Sequence, residues 1–103
     1  MVQEDGAFDS TLAAAAGDDP ALHAELRAAF AESLAGHIDL LSRARCDGNW
    51  VVAAQRIKGL AASFHVLPLM DLADAAVSSA PGEPGILRKL NAILVEFTSS
   101  PAD

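Results

Sequence analysis

Apolar positions in this chain recur every three to four residues over long stretches, the period of a helix that buries one stripe. From Pro20 to about Arg45 the spacing is kept by Leu22, Leu26, Ala29, Phe30, Leu34, Ile38 and Leu41. Asp18-Asp19-Pro20 marks its start: an aspartate can accept from the free N–H groups, and proline suits the first helical position. Gly36 inside the run costs about 1 kcal/mol relative to alanine, too little to end it. Cys46-Asp47-Gly48-Asn49 breaks the period, and Asn49 is the expected N-cap of a helix from Trp50 to Phe64. At about 100° per residue, Trp50, Ala53, Ala54, Ile57, Leu60, Ala61 and Phe64 share one side of that helix. Val51, Val52, Gln55, Gly59 and Ala62 fall opposite. His65-Val66-Leu67-Pro68 reads as a corner. Pro68 opens a helix to about Ser79 through Leu69, Leu72, Ala73 and Ala76. After the loop residues around Pro81-Gly82, a last helix over 84–98 carries Ile86, Leu87, Leu90, Ile93, Leu94 and Phe97. Ahead of all these, Phe8 to Ala16 makes a short helix ended by Gly17.

Four substantial helices with short connections predict an all-α, antiparallel four-helix bundle, with the short extra N-terminal helix capping one end. Leu26, Phe30, Trp50, Ile57, Phe64, Leu72, Leu90 and Phe97 are expected in one core. The organisation read from the sequence is a disordered N-terminal segment over 1–7, the bundle over 8–98 and a polar tail over 99–103. At 103 residues the chain is one domain. Abundant alanine and leucine, no tyrosine and few β-branched residues favour helix and argue against a sandwich or barrel.

Charge narrows the partners. A formal net charge of -7 repels nucleic-acid phosphates and anionic lipid, so neither nucleic acid nor membrane is expected as a partner. The favoured partners are proteins with basic or apolar patches. The single cysteine, Cys46, cannot form an internal disulfide, and it is expected to be a small buried or half-buried residue near a helix end. The chain shows no apolar leader and no run of the roughly 20 apolar residues that span a bilayer. It reads as cytoplasmic and monomeric.

Most catalytic signatures are missing: there is no phosphate-cradling glycine loop, no His-Glu-x-x-His and no Gly-x-Ser-x-Gly. His23, His37 and His65 lie on three separate segments and read as surface or corner residues. Asp71 and Asp74, at i and i+3, read as a solvated face. No metal, cofactor or catalysis is expected. One stretch stands apart. Gln55-Arg56-Ile57-Lys58-Gly59 sits mid-helix opposite the core stripe, and Gly59 lies one turn after Gln55 on the same side. A glycine there weakens the helix, and no cap explains it. It can leave a notch through which another surface approaches Gln55. Lys58 can swing beside Gln55, and with Arg56 it makes a basic spot on an acidic chain. Val51, Val52 and Ala62 add an apolar rim. The same residues are equally compatible with an ordinary solvated face and a tolerated glycine.

The run Trp50-x-x-Ala53-Ala54-Gln55-Arg56-Ile57-Lys58-Gly59-Leu60-Ala61-Ala62-Ser63-Phe64, followed by Leu69 and Leu72-Ala73, resembles the histidine-containing phosphotransfer (HPt) domains. The resemblance covers about residues 8 to 97. That family's hallmark is a histidine, a variable residue, an aliphatic, Lys and Gly, then small residues, Phe-Gly and a leucine-rich helix. The resemblance implies a four-helix bundle that exposes the acceptor face to a receiver domain or a sensor histidine kinase of a two-component phosphorelay. It implies that Lys58 helps stabilise a phosphoryl group, that Gly59 keeps the approach open and that the surrounding apolar residues dock the partner.

The chain departs from the pattern twice. Gln55 stands at the phosphoacceptor histidine. A carboxamide nitrogen has its lone pair delocalised into the carbonyl, so it is not nucleophilic, and phosphotransfer through this position is expected to be lost while the surface remains. His65 stands where glycine follows phenylalanine and ends the helix. Histidine is among the non-glycine residues enriched in the left-handed region, so a helix-end role is expected for it. The leading expectation is thus an HPt-like binding module without its acceptor, which modulates a phosphorelay or competes in it. Two alternatives stay open. One is an active phosphotransfer protein, either with its acceptor histidine replaced by Gln55 or transferring through His37 or His65. The other is an interaction or dimerisation bundle outside phosphorelays, with Val51, Val52 and Ala62 as its seam.

Overall fold

The computed structural model describes residues 5–98, and residues 1–4 and 99–103, which hold most of the expected disordered segment and the polar tail, lie outside the described residues. Among the described residues the chain is all-helical. Its helices are α1 (Asp5–Ala16), α2 (Pro20–Arg43), α3 (Asp47–Ser63), α4 (Leu67–Val77) and α5 (Pro84–Thr98). No helix is long and apolar enough to cross a membrane among these residues.

The helix ends follow local chemistry. α1 begins at Asp5, three residues before the expected Phe8, so the stretch read as disordered over 1–7 is helical where it is described. It stops at Gly17, whose φ of +66° suits a residue without Cβ and whose N–H reaches Ala13 O at 2.8 Å. Asp19 opens α2 as expected, its carboxylate accepting from Ala21 N at 3.0 Å and Leu22 N at 3.2 Å, with Pro20 in the first turn. α3 corrects the sequence reading. It starts at Asp47, and Asn49 is not its cap. The Cys46 carbonyl already receives the Trp50 N–H at 3.0 Å, and Asp47 places a negative charge on the positive end of the helix dipole. Cys46 itself is exposed rather than buried. At the start of α5 the Glu83 carboxylate accepts from Gly85 N at 3.2 Å.

The end of α3 explains His65. The Val66 N–H reaches back to Ala61 O at 2.9 Å and the His65 N–H to Ala62 O at 3.3 Å. This nested pair of bonds satisfies two carbonyls left over at a helix C-terminus, and it requires a left-handed residue between them. His65 supplies it, with a φ of 59°. Its Nδ1 lies 2.8 Å from Thr11 Oγ1, which ties the corner to α1. Val66, the next residue, is buried and brings the chain back onto the core.

Packing closes the helices into a ring: α2 meets α3, α3 meets α4, α4 meets α5, and α5 returns to α2, while α1 lies along α2. Trp50, Ile57, Phe30, Leu90 and Phe97 are buried in one cluster, and Leu26, Phe64 and Leu72 are half-buried against it. Leu22 and Ala29, expected on the α2 stripe, are exposed. The phenylalanines meet at one end. Phe8 from α1 contacts Phe30, Phe64 and Phe97 at ring-centroid distances of 5.0, 5.9 and 4.7 Å. At the other end of α3, the buried Trp50 indole donates to Ala76 O on α4 at 2.6 Å. An indole N–H left unpaired in such a place would cost about 1–3 kcal/mol.

The His65 geometry gives a direct test. His65→Gly relieves a side chain held in the left-handed region, whereas His65→Ala keeps it there, and both lose the Thr11 hydrogen bond. In urea denaturation the glycine variant is expected to be more stable than the alanine variant by about 1 kcal/mol. Equal stabilities would remove the left-handed requirement.

Candidate functional site

α3 is wedged between α2 and α4, so it has one free face. Trp50, Ala53, Ala54, Ile57 and Ala61 are buried, as their spacing predicts. Val52, Gln55, Arg56, Gly59 and Ala62 are exposed. Val51, expected on the free face, is half-buried and packs against the core, because its position turns it toward a neighbouring helix. It does not belong to the exposed rim.

Gly59 is the informative residue. A Cβ placed on it meets nothing within 4 Å. No contact within the fold therefore requires a glycine here, yet the helix carries its propensity cost of about 1 kcal/mol. Gln55, one turn earlier, is exposed and makes no side-chain hydrogen bond among the described residues.

Lys58 is placed differently from the sequence expectation. Its Nζ sits 2.8 Å from Asp74 Oδ1 on α4, so it leans away from a free position beside Gln55. The same pair gives Asp74, exposed on the expected solvated face, Lys58 as its partner. Asp71 is exposed. Both members of the pair are about half exposed, and such a surface ion pair contributes about 0–1 kcal/mol. An anion of higher charge brought to Gln55 can compete for that lysine.

The structure also adds residues that the α3 motif alone does not reveal. A notch of about 330 Å³ between the end of α2 and the start of α3 is lined by Leu40, Arg43 and Ala44 on one side and Asn49, Val52, Ala53 and Arg56 on the other. Leu40 is 51% exposed and Val52 is 49% exposed, so two large apolar side chains stand open beside two arginines. Arg43 is held by Asp39 at 3.1 Å. Gly36 lies one turn before Leu40 on α2 and Gly59 one turn after Gln55 on α3, and a Cβ on Gly36 also meets nothing within 4 Å. The face around Gln55 therefore continues across α3 onto α2. The available sequence signal was Leu40, a leucine just off the α2 stripe.

The histidines do not assemble. His23 and His37 are half-buried on α2, and His65 is exposed beyond the end of α3. His65 lies ten positions after Gln55, about 15 Å along a helix axis, and its Nδ1 is engaged by Thr11. Among the described residues no group of three His, Cys, Asp or Glu side chains is placed to hold a metal ion. The arrangement offers an exposed apolar and basic surface with an open glycine.

Comparison of the chain with protein-family models, with curated proteins and with solved structures found no match in any of the three.

The open space at Gly59 predicts the sign of a substitution. Gly59→Ala is expected to raise stability by about 0.5–1 kcal/mol, because alanine is the better helix former and meets no neighbour. A urea midpoint that falls instead would mean the glycine serves the fold rather than a partner.

Proposed function

We propose that this chain is an HPt-like four-helix signalling module that docks on a receiver domain or a sensor histidine kinase and lacks the phosphoacceptor histidine. The reading rests on the motif around Gln55 and on one structural observation, the open Gly59 on the free face of α3 one turn from Gln55. A glycine that the fold does not use, at the position where the motif needs close approach, is accounted for by a docked partner. The ring of α2, α3, α4 and α5 agrees with the bundle that such a module uses. The exposed pair Leu40 and Val52, with Arg43 and Arg56, supplies an apolar and basic rim for the partner.

Gln55 decides the chemistry. Phosphoryl transfer to a histidine requires an imidazole nitrogen with an available lone pair, and the carboxamide of Gln55 has none. The module binds and competes but carries no phosphoryl group. A second reading, self-association through the same face, is favoured by the exposure of Leu40 and Val52 side by side. A sizing measurement over a range of concentrations separates the two: the docking module stays monomeric without its partner.

Two outcomes test the proposal. Gly59→Leu fills the open space beside Gln55 while keeping the helix, and is expected to weaken binding to a cognate receiver by about tenfold or more, read by titration calorimetry. Unchanged affinity would place the docking face elsewhere. Gln55→His puts an imidazole on the exposed face one turn before Gly59, where Lys58, once it leaves Asp74, can stabilise the charge that develops on the transferring phosphoryl group. The parent is expected to take no label from a phosphorylated donor, and Gln55→His to gain an acid-labile one. Label on the parent that vanishes with His37 or His65 would favour a displaced acceptor. A Gln55→His variant that binds the donor yet stays unlabelled would show that phosphotransfer geometry has been lost.

A further inference from the structure

A larger concavity lies on a different part of the molecule from the Gln55 face. It is a trough of about 1300 Å³, walled by α1 and by the end of α5, with the first half of α2 as its floor. Ala24, Ala28 and Ala31 line that floor at i, i+4 and i+7. Such small side chains let another helix approach to the close axial distances seen in packed helices. From Pro20 to Glu32 the floor extends about 18 Å, room for roughly 12 residues of helix.

The charge of the trough is one-sided. Its lining includes Asp9, Asp18, Asp19 and Glu32, all exposed. The one arginine in the lining, Arg27, is directed inward. Its guanidinium carbon lies 5.5 Å from the Phe8 ring centroid and 5.4 Å from that of Phe97, a cation–π arrangement, and Nη1 approaches Asp9 at 3.9 Å. Asp18 and Glu32 make no salt bridge among the described residues.

We propose that this trough docks an amphipathic helix of another protein, with an apolar stripe flanked by lysine or arginine. The alanine floor and the Phe97 edge receive the stripe, and the flanking cations meet Asp18 and Glu32. The chain's own segment after Thr98 does not suit the site, because Ser99 to Asp103 brings an acid and no base. A second copy suits it poorly, because its basic rim at Arg43 and Arg56 is split between α2 and α3 and does not form one amphipathic helix.

The test uses a fluorescein-labelled helical peptide of about 14 residues, with leucine at helical spacing and lysine elsewhere, and a scrambled peptide of the same composition. Fluorescence anisotropy is expected to show saturable one-to-one binding of the first peptide and at least about tenfold weaker binding of the second. Ala28→Trp fills the floor and is expected to weaken binding by about tenfold or more, with its helical circular dichroism unchanged, whereas Ala92→Trp on the exposed side of α5 leaves it unaltered. The double variant Asp18→Asn, Glu32→Gln leaves the floor intact and is expected to weaken binding and reduce its dependence on salt. Equal binding of both peptides would reduce the interaction to net charge and overturn the proposal. So would an unchanged affinity of Ala28→Trp, or self-association of the parent that Ala28→Trp abolishes.

Discussion

α3 must bury a stripe against two neighbours at once, and the position of the proposed docking face follows from that constraint. The stripe is anchored at both ends by aromatic side chains. Trp50 is buried at the first turn and donates to Ala76 O at 2.6 Å, joining the start of α3 to the end of α4. Phe64, at the other end, packs 4.9 Å from Phe30 and 5.9 Å from Phe8. Between these anchors the buried residues are Ala53, Ala54, Ile57 and Ala61, mostly small, which lets α2 and α4 come close. A helix held in this way cannot rotate about its axis without exposing an indole or a phenyl ring. Its outer face is therefore fixed, and Val52, Gln55, Arg56 and Gly59 are presented together to solvent.

The corner after α3 belongs to the same mechanical unit. A histidine in the left-handed region costs roughly 1–2 kcal/mol relative to an ordinary conformation. The cost is offset by the two backbone bonds that close the helix, by the contact between Nδ1 and Thr11, and by the burial of Val66 and Leu69 that the sharp return allows. The corner also brings α4 back along α3, which sets Asp74 within reach of Lys58. Thus Lys58, the cation of the α3 motif, is restrained by a carboxylate from another helix. That restraint is weak enough, at the surface, for an incoming anion to compete with it.

Two faces of the molecule have opposite characters. The notch between α2 and α3 is basic and apolar, with Arg43 and Arg56 beside Leu40 and Val52. The trough over the start of α2 is acidic and floored by alanine. α2 contributes to both, with its first half in the trough and its last turns in the notch. A single long helix thereby carries two surfaces of opposite charge, and the net acidity of the chain hides the basic one from composition alone.

The sequence by itself determined the helices and the buried side of α3, because a 3.6-residue period and the requirement to bury apolar area act locally and leave a readable pattern. Asp19 and Pro20 at the start of α2, Gly17 at the end of α1 and the left-handed His65 were legible for the same reason, each being fixed by backbone sterics or by a cap within a few residues. The start of α3 was not: Asn49 has the chemistry of a cap, but the chain is already helical at Asp47 without a side-chain cap. Only the tertiary structure decided what depends on the angle and distance between helices. It turned Val51 toward the core, paired Lys58 with Asp74, set Leu40 beside Val52, and seated Phe8 among the other phenylalanines. Those contacts join residues far apart in the chain, and periodicity within one helix carries no information about which neighbour stands across from it.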